Sequence, residues 1–334
     1  MTVETLASPS RGRRIALRLG HQGTLGYIAR RIGHAVIVVW AAYTITFVLL
    51  YLLPSDPITL MLQSRARGTD IDPELVARLN AQYGFDQPVM SQYLTLMFNA
   101  IQGDFGKSIT DGRDVLVLIG EVVPYTIELA LTGLAIGITL GLTVAVAANL
   151  TRINWLKQAL FSYAPFIASI PAFLIGLFLI QVFSYSLGLL PAAGNRGLIS
   201  LILPALAIGL QISDSIAQVT AKSIHENLHA PYAQYLRAKG LSRRAILLRH
   251  ALRNAIIPAV TLIGLSIGSI LGGAIITETV FSRQGLGRLL EEAVSLQDIP
   301  VVQAVVVFTA LLFAITNLAV DLLYPLINPK VAVR

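Results

Sequence analysis

The hydrophobic residues of this chain fall into six long blocks, at about 32–53, 127–150, 160–187, 198–220, 255–280 and 301–326. Each meets the requirement of about 20 mostly apolar residues for a helix that crosses the hydrocarbon core of a bilayer. None shows the two-residue alternation of a barrel strand, and all exceed the roughly ten residues such a strand needs. The pattern therefore predicts an all-α polytopic membrane protein with six transmembrane helices. The third block is the longest and holds Pro165 and Pro171.

Composition agrees with the pattern. Of 334 residues, 55% are hydrophobic and 13% charged, against about 25% charged in a typical soluble domain. Cysteine is absent, which excludes disulfides and thiolate metal sites. The net charge of +7 would suit a nucleic-acid partner if the basic residues were clustered on a folded soluble face with aromatic platforms. They are sorted along the chain instead. With the N-terminus inside, segments 1–31, 149–157, 221–255 and 327–334 hold 17 of the 25 Lys and Arg and only Glu4 and Glu226 as acids. The other connections hold 8 basic and 12 acidic residues. This is the positive-inside signature; it predicts both termini in the cytoplasm and no nucleic-acid role. Residues 1–31 read as a loose basic cytoplasmic tail and 327–334 as a short C-terminal one. The first block is longer than the roughly 7–15 apolar residues of a signal peptide and lacks a cleavage site after it, so it reads as an uncleaved span.

Two connections are too long to be simple turns. Segment 54–121, on the outer face, carries a helix start at Asp72-Pro73-Glu74, and a second short helix is expected around 89–101. It reads as a small folded cap. Segment 221–255 is the long cytoplasmic connection. Pro231 can open a helix and Gly240 can end it in the left-handed conformation. Ser242 can then cap a second, basic and amphipathic helix. A short helix held between two spans is a rigid knob offering Tyr232, Tyr235 and Leu236 with a fringe of Arg and Lys. The helix–glycine–helix grammar favours a docking surface over a merely solvated loop.

Several apparent signatures carry no chemistry. Gly103-Asp104-Phe105-Gly106-Lys107-Ser108 resembles the end of a phosphate loop, but Ile101 stands where the first glycine is required. Gly264-Leu265-Ser266-Ile267-Gly268 matches a nucleophile elbow literally, yet it lies within a span, and no histidine accompanies it there. Gly264, Gly268 and Gly272, like Gly133, Gly137 and Gly141, recur every four residues, which suits close helix packing in lipid. No His/Asp/Glu cluster has metal-ligand spacing. Four acids fall within the spans: Glu128, Asp214, Glu278 and Asp321. Such residues are costly in lipid and usually functional. Glu128 and Glu278 lie close enough to the outer ends to reach headgroups or water. Gln211, Asp214 and Glu278 are the candidate polar positions of a pathway; for Asp214 an ordinary inner-half helix contact is the equal alternative.

The ordered set of short motifs resembles the membrane permease subunit of an ATP-binding cassette importer, of the dipeptide/oligopeptide/nickel type, over nearly the whole chain. The strongest piece is Arg237-Ala238-Lys239-Gly240-Leu241-Ser242 with His250-Ala251-Leu252-Arg253-Asn254-Ala255 and Pro258. Others are Leu53-Pro54-Ser55-Asp56-Pro57, Tyr83-Gly84-Phe85-Asp86-Gln87-Pro88, Gly103-Asp104-Phe105-Gly106, Leu187-Gly188-Leu189-Leu190-Pro191, Glu278-Thr279-Val280-Phe281-Ser282 with Gly285-Leu286-Gly287, and Asp321-Leu322-Leu323-Tyr324. The resemblance implies the permease fold over 32–326. It makes Tyr232, Ala233, Gln234, Tyr235, Leu236, Arg237, Ala238, Lys239, Gly240 and Leu241 the coupling helix that sits in a groove of an ATPase. The chain departs from the family pattern at Gln234-Tyr235-Leu236, where Glu-Ala-Ala is general. It departs also at Pro231 and Gln218, which replace an acid and an arginine, and at Asn328-Pro329-Lys330.

The implied partners are a homologous second permease subunit, two cytoplasmic ATPase subunits or domains and an extracytoplasmic solute-binding protein, within a bacterial inner membrane. The chain itself would bind no cofactor, and ATP with Mg would sit on the ATPase. Family membership favours peptides as cargo; nickel chelates, glutathione-like peptides and opine metallophores are the family's alternatives. Outside the family, the rivals are an ion-coupled carrier working without an ATPase, an intramembrane enzyme, and a scaffold that moves nothing.

Overall fold

In lipid every backbone N–H and C=O must find a partner within the protein, and a helix supplies them all within one segment. The computed structural model describes residues 12–51, 58, 59, 62, 73–83 and 86–327. Leu53-Pro54-Ser55-Asp56-Pro57, Asp72, Gly84-Phe85, Asn328-Pro329-Lys330, the side chain of Asp321 and the tail beyond 327 lie outside that description. Among the described residues the helices are α1 (Gly12–Tyr51), α2 (Pro73–Tyr83), α3 (Val89–Ile101), α4 (Val115–Leu150), α5 (Asn154–Ala168), α6 (Ala172–Leu179), α7 (Ile202–His229), α8 (Pro231–Ala238), α9 (Arg243–Ile246), α10 (Leu252–Val280), α11 (Leu286–Ser295) and α12 (Ile299–Ile327). Five stretches are long and apolar enough to cross a membrane: Ala29–Leu50, Val115–Leu150, Leu198–His229, Arg243–Gly268 and Ile299–Val320.

The third of the six expected spans departs from the sequence expectation of one long helix. Asn154–Ala168 and Ala172–Ser186 meet at an angle of 109°. The break falls at Ser169-Ile170-Pro171. Pro171 has no N–H to continue the ladder, and its ring drives Ile170 away from helical geometry. Pro165 lies inside α5 without ending it. Beyond α6 the helix widens into a π turn over Ile180–Ser186.

Two boundaries also differ. The expected loose tail is shorter, because α1 begins at Gly12 and runs unbroken into the first span; residues such as Arg13, Arg14, Ala16 and Leu17 are good helix formers. The second span starts well before 127. Asp114 caps α4 by accepting from the N–H groups of Leu116 and Val117, and Pro124 is carried within the helix.

Glycine brings α4 and α7 together. A Cβ at Gly133 would stand 2.7 Å from the Ile208 side chain, one at Gly137 2.8 Å from Ile212, and one at Gly141 2.9 Å from Ile216. The isoleucines of α7 thus press on the bare backbone of α4, the contact that small residues permit. Gly264 and Gly268 of α10 face Val320 and Asn317 of α12 in the same way. Gly272 does not: a Cβ there would meet nothing within 4 Å. Its place in the four-residue repeat therefore corresponds to no close approach among the described residues.

The cap segment is held down at two points. Tyr93 of α3 packs edge-on to Phe47 and shares a 2.8 Å hydrogen bond with Thr44, both on α1. Asp298, before α12, is buried and accepts from the Ser108 hydroxyl at 2.5 Å and from the N–H groups of Ile109 and Thr110.

Candidate functional site

α8 begins with Pro231 in the first helical turn, where no N–H is needed and the fixed φ suits the helix. It ends at Gly240, whose φ is +86°. The Leu241 N–H donates to the Leu236 carbonyl (3.1 Å) and the Gly240 N–H to that of Arg237 (2.9 Å). These are the paired bonds of a Schellman stop. Leu236 and Leu241 both pack onto the buried cluster of Ile224, Leu228, Ala233, Ile246 and Leu247. Ser242 caps the next turn by accepting from the Ala245 N–H at 3.3 Å.

The expected separate amphipathic helix after Ser242 is not separate. α9 passes through a π turn at Leu247–Ala251 directly into α10. The apolar residues Ile246, Leu247 and Ala251 are fully buried, so this stretch is the base of the fifth span.

Polar contacts fix the knob to three helices. The Tyr232 hydroxyl donates to Asn227 Oδ1 at 2.9 Å, and Asn254 Nδ2 reaches the same oxygen at 3.4 Å. Arg237 donates to the Leu228 carbonyl at 2.7 Å, covering an end carbonyl of α7. Arg243 donates to the Asn149 carbonyl at 3.1 Å, at the end of α4. The buried Asn149 side chain donates in turn to the carbonyls of Ala145 (3.0 Å) and Ala221 (3.1 Å). Ala233 is buried, Tyr232 and Leu236 are half-buried, and Pro231, Gln234, Tyr235, Arg237, Ala238, Lys239 and Gly240 are exposed. Tyr235 is 60% exposed, with the Lys239 ammonium 4.7 Å from its ring centroid. The outcome is a stiff, two-turn projection with an aromatic and cationic tip. It can seat in a groove of another protein; nothing in it performs covalent chemistry.

The intramembrane acids separate into two environments. Glu278, expected within reach of water, is fully buried. Its carboxylate accepts from the Gly287 N–H at 2.7 Å, and it occupies the space that a Cβ at Gly285 would need. Leu286 N–H donates to Thr126 at 2.9 Å beside it. The turn after α10 folds back over the carboxylate, so Glu278 is closed off from any path. Glu128 pairs with Arg283 at 2.7 Å, and Arg283 is 2% exposed. Both acids therefore organise the α10–α11 connection. Gln211 and Asp214 lie half-buried on α7, and Asp214 accepts from the Ser215 hydroxyl at 2.6 Å. Arg283 is missing from the candidates that the sequence offers; a lone arginine beside an apolar span, with acids at 128 and 278, is the signal for it.

The apparent signatures have ordinary places. Ser108 of the phosphate-loop lookalike spends its hydroxyl on Asp298. Ser266 of the elbow lookalike donates to the Leu262 carbonyl, one turn back in α10, at 2.9 Å. Among the described residues no group of three or more His, Asp or Glu could hold a metal ion.

Residues 115–333 match the family described as "Binding-protein-dependent transport system inner membrane component", and residues 24–130 match its N-terminal companion family. The chain is 36% identical over 307 residues to the "Glutathione transport system permease protein GsiC" of Escherichia coli (strain K12), covering 92% of this chain and 99% of that protein. The protein of the same name from Salmonella choleraesuis gives the same figures. Among solved structures, the inward-facing MetNI methionine ABC transporter aligns with a TM-score of 0.52 at 17% identity. That alignment covers 63% of this chain and 96% of the matched one, and it shows a shared fold. The matched families span the bundle, the α8 knob and the first span together, and the chain belongs to the inner-membrane permease components of binding-protein-dependent ABC importers.

Proposed function

We propose that this chain is one half of the translocation pore of an ATP-driven peptide importer, with α8 as the element that receives the stroke of a separate ATPase. The observation that carries this reading is the build of the knob. Its glycine stop, its half-buried leucines packed on the core and its straps to α4, α7 and α10 leave it no soft joint. A push on Tyr235 and Lys239 passes to the spans as a rigid-body movement, which is what alternating access needs.

Further parts of the reading rest on the family and on charge. A homologous second permease completes the pore, and two ATPase subunits or domains bind ATP and Mg²⁺ on the cytoplasmic side. Both termini lie on that side, in line with the positive-inside sorting. A solute-binding protein docks at the opposite end, where α3, the 103–114 loop and α11 form a charged, hydrogen-bonded surface. There a cleft of about 720 Å³ is lined in part by Arg113, Glu121, Arg288 and Glu292. Relatives named for glutathione transport favour a small peptide as cargo over a nickel chelate.

The test is uptake in proteoliposomes containing the complete complex and its binding protein. ATP-dependent accumulation of glutathione or a short peptide, lost on Gly240→Pro while insertion is normal, supports the reading. Accumulation that persists with the ATPase subunits left out overturns it in favour of an ion-coupled carrier.

A further inference from the structure

α7 carries a polar face that its own fold leaves open. Gln211, Ser215, Gln218, Lys222, His225 and His229 follow one another at spacings of four, three, four, three and four residues. That period keeps them on one side of a helix. From 211 to 229 they cover 19 residues, about 27 Å at 1.5 Å of rise per step; the first three lie in the apolar block and the last three in its basic cytoplasmic extension. Ser215, Gln218, Lys222, His225 and His229 are exposed and Gln211 is half-buried. Asp214 borders the face and bonds Ser215. Within the described residues no hydrogen bond or ion pair satisfies the side chains of Gln211, Gln218 or Lys222.

The remaining sides of α7 are occupied. Ile208, Ile212 and Ile216 press on the glycines of α4, and Ser213 bonds Tyr163 of α5 at 2.6 Å. One turn before Gln211 the stripe becomes apolar: Ala207 is buried with Ile167, Ile175 and Leu179 under the α5–α6 elbow. The polar face is thus covered at one end by the elbow and exposed toward α8. Alongside its lower half runs a groove of about 360 Å³, walled by Leu160, Phe161 and Pro165 of α5 and by Gln218, Lys222 and His225. The part of the row within the apolar block, Gln211 to Gln218, has no place against hydrocarbon, where unsatisfied polar groups are costly. It belongs against water.

We propose that this face of α7 is the solute-contacting wall of the half-pore, and that it accepts solutes bearing both charges and amide groups. This deepens the importer reading and rests on it. The two glutamines offer paired donors and acceptors to a peptide unit. Asp214 offers a carboxylate to an ammonium, Lys222 offers a cation to carboxylates nearer α8, and the His225 ring offers a hydrogen bond beside it. The groups are spread singly along the face, so each holds a passing solute weakly, as conduction demands.

The absence of cysteine from the chain makes the test direct. Single variants Ser215→Cys, Gln218→Cys and, as an exposed apolar control on α4, Leu131→Cys are made in the full complex. Each is treated with membrane-impermeant methanethiosulfonates of positive and of negative charge. The wall predicts faster labelling at positions 215 and 218 than at 131, by roughly tenfold or more. At 218, one turn from Lys222 on one side and from Asp214 on the other, it predicts that Lys222→Gln lowers the ratio of anionic to cationic labelling by a factor of roughly three to ten. Equal rates at 215, 218 and 131 overturn the proposal and place this face against lipid or buried in the partner subunit. A reagent preference that Lys222→Gln leaves unchanged overturns the charge selectivity. Uptake of glutathione without an ATPase would overturn the importer reading alone, because the labelling rates do not depend on how transport is driven.

Discussion

The Arg243 guanidinium donates to the main-chain carbonyl of Asn149 at 3.1 Å. The two residues are 94 positions apart, one just after the α8 stop and the other at the end of α4. This bond joins the knob to the helix whose glycines seat α7. Asn149 continues the link through its side chain to the Ala221 carbonyl on α7. Arg243 thereby ties the start of the fifth span to α4 and, through Asn149, to α7.

Arg243→Ala should lower the number of solute molecules moved per ATP hydrolysed while the complex still assembles. A hydrogen bond to a charged group is worth about 1.5–3 kcal/mol, and exposure of the guanidinium places this one at the low end. Measuring ATPase and uptake rates on one preparation decides it. Equal losses in both would show a folding or docking defect, and Arg243→Lys should restore part of the ratio.

Gly240 sits at φ +86°, and a Cβ built there would meet nothing within 4 Å, so backbone conformation and not space excludes a side chain. Gly240→Ala should cost about 1–2 kcal/mol at the Schellman stop. The cost falls on the register between Leu236 and Leu241. ATP-coupled uptake should fall, and Gly240→Asn should fall less because asparagine tolerates this conformation better. Identical uptake in Gly240→Ala and the parent would show that the stop is not strained.

The two glycine repeats separate cleanly in a stability measurement. Gly137→Leu would drive a side chain into Ile212, whose Cβ is already 2.8 Å from the site of a Cβ, with the Gly209 carbonyl at 3.1 Å. Overpacking of this kind costs about 1–3 kcal/mol or more. Gly272→Ala meets nothing among the described residues and, alanine being the better helix former, should not lower the melting temperature of the detergent-purified subunit. A drop in melting temperature for Gly272→Ala alone, with Gly137→Leu unaffected, would reverse the assignment of packing surfaces.

How much of the fold and the site is legible in the sequence follows from the range of the forces involved. The spans are readable because burial in lipid demands long apolar runs, a local property of sequence. Pro231, Gly240 and Ser242 disclose α8 because helix ends obey local backbone rules. The elbow at Pro171 is less plain: Pro165, six residues earlier, carries the same local signal and lies inside an intact helix. Only the packing of α6 over Ala207 and Phe281 distinguishes the two prolines. The polar face of α7 is half visible. Gln211 and Asp214 stand out within an apolar run, but Lys222 and His225 read as loop charges unless α7 is known to extend to His229. Glu278 misleads because Gly285, seven residues on, would stand about 10.5 Å away along a continuous helix and adjoins it only once the chain folds back.

That last contact gives the sharpest test of the α11 end. Gly285 has an extended backbone that any residue can adopt, so its lack of a side chain answers to the Glu278 carboxyl lying where a Cβ would go. Gly285→Ala should therefore destabilise the subunit by about 1–3 kcal/mol. Glu278→Ala should destabilise it as well, because the buried Gly287 N–H loses its acceptor, at about 1–3 kcal/mol. The two losses should not add. With the carboxyl gone, the alanine at 285 finds the space that Glu278 vacated, and the double variant should melt close to Glu278→Ala alone. Thermal melting of the four purified proteins closes the cycle, and a coupling term of zero would mean that Gly285 and Glu278 do not meet.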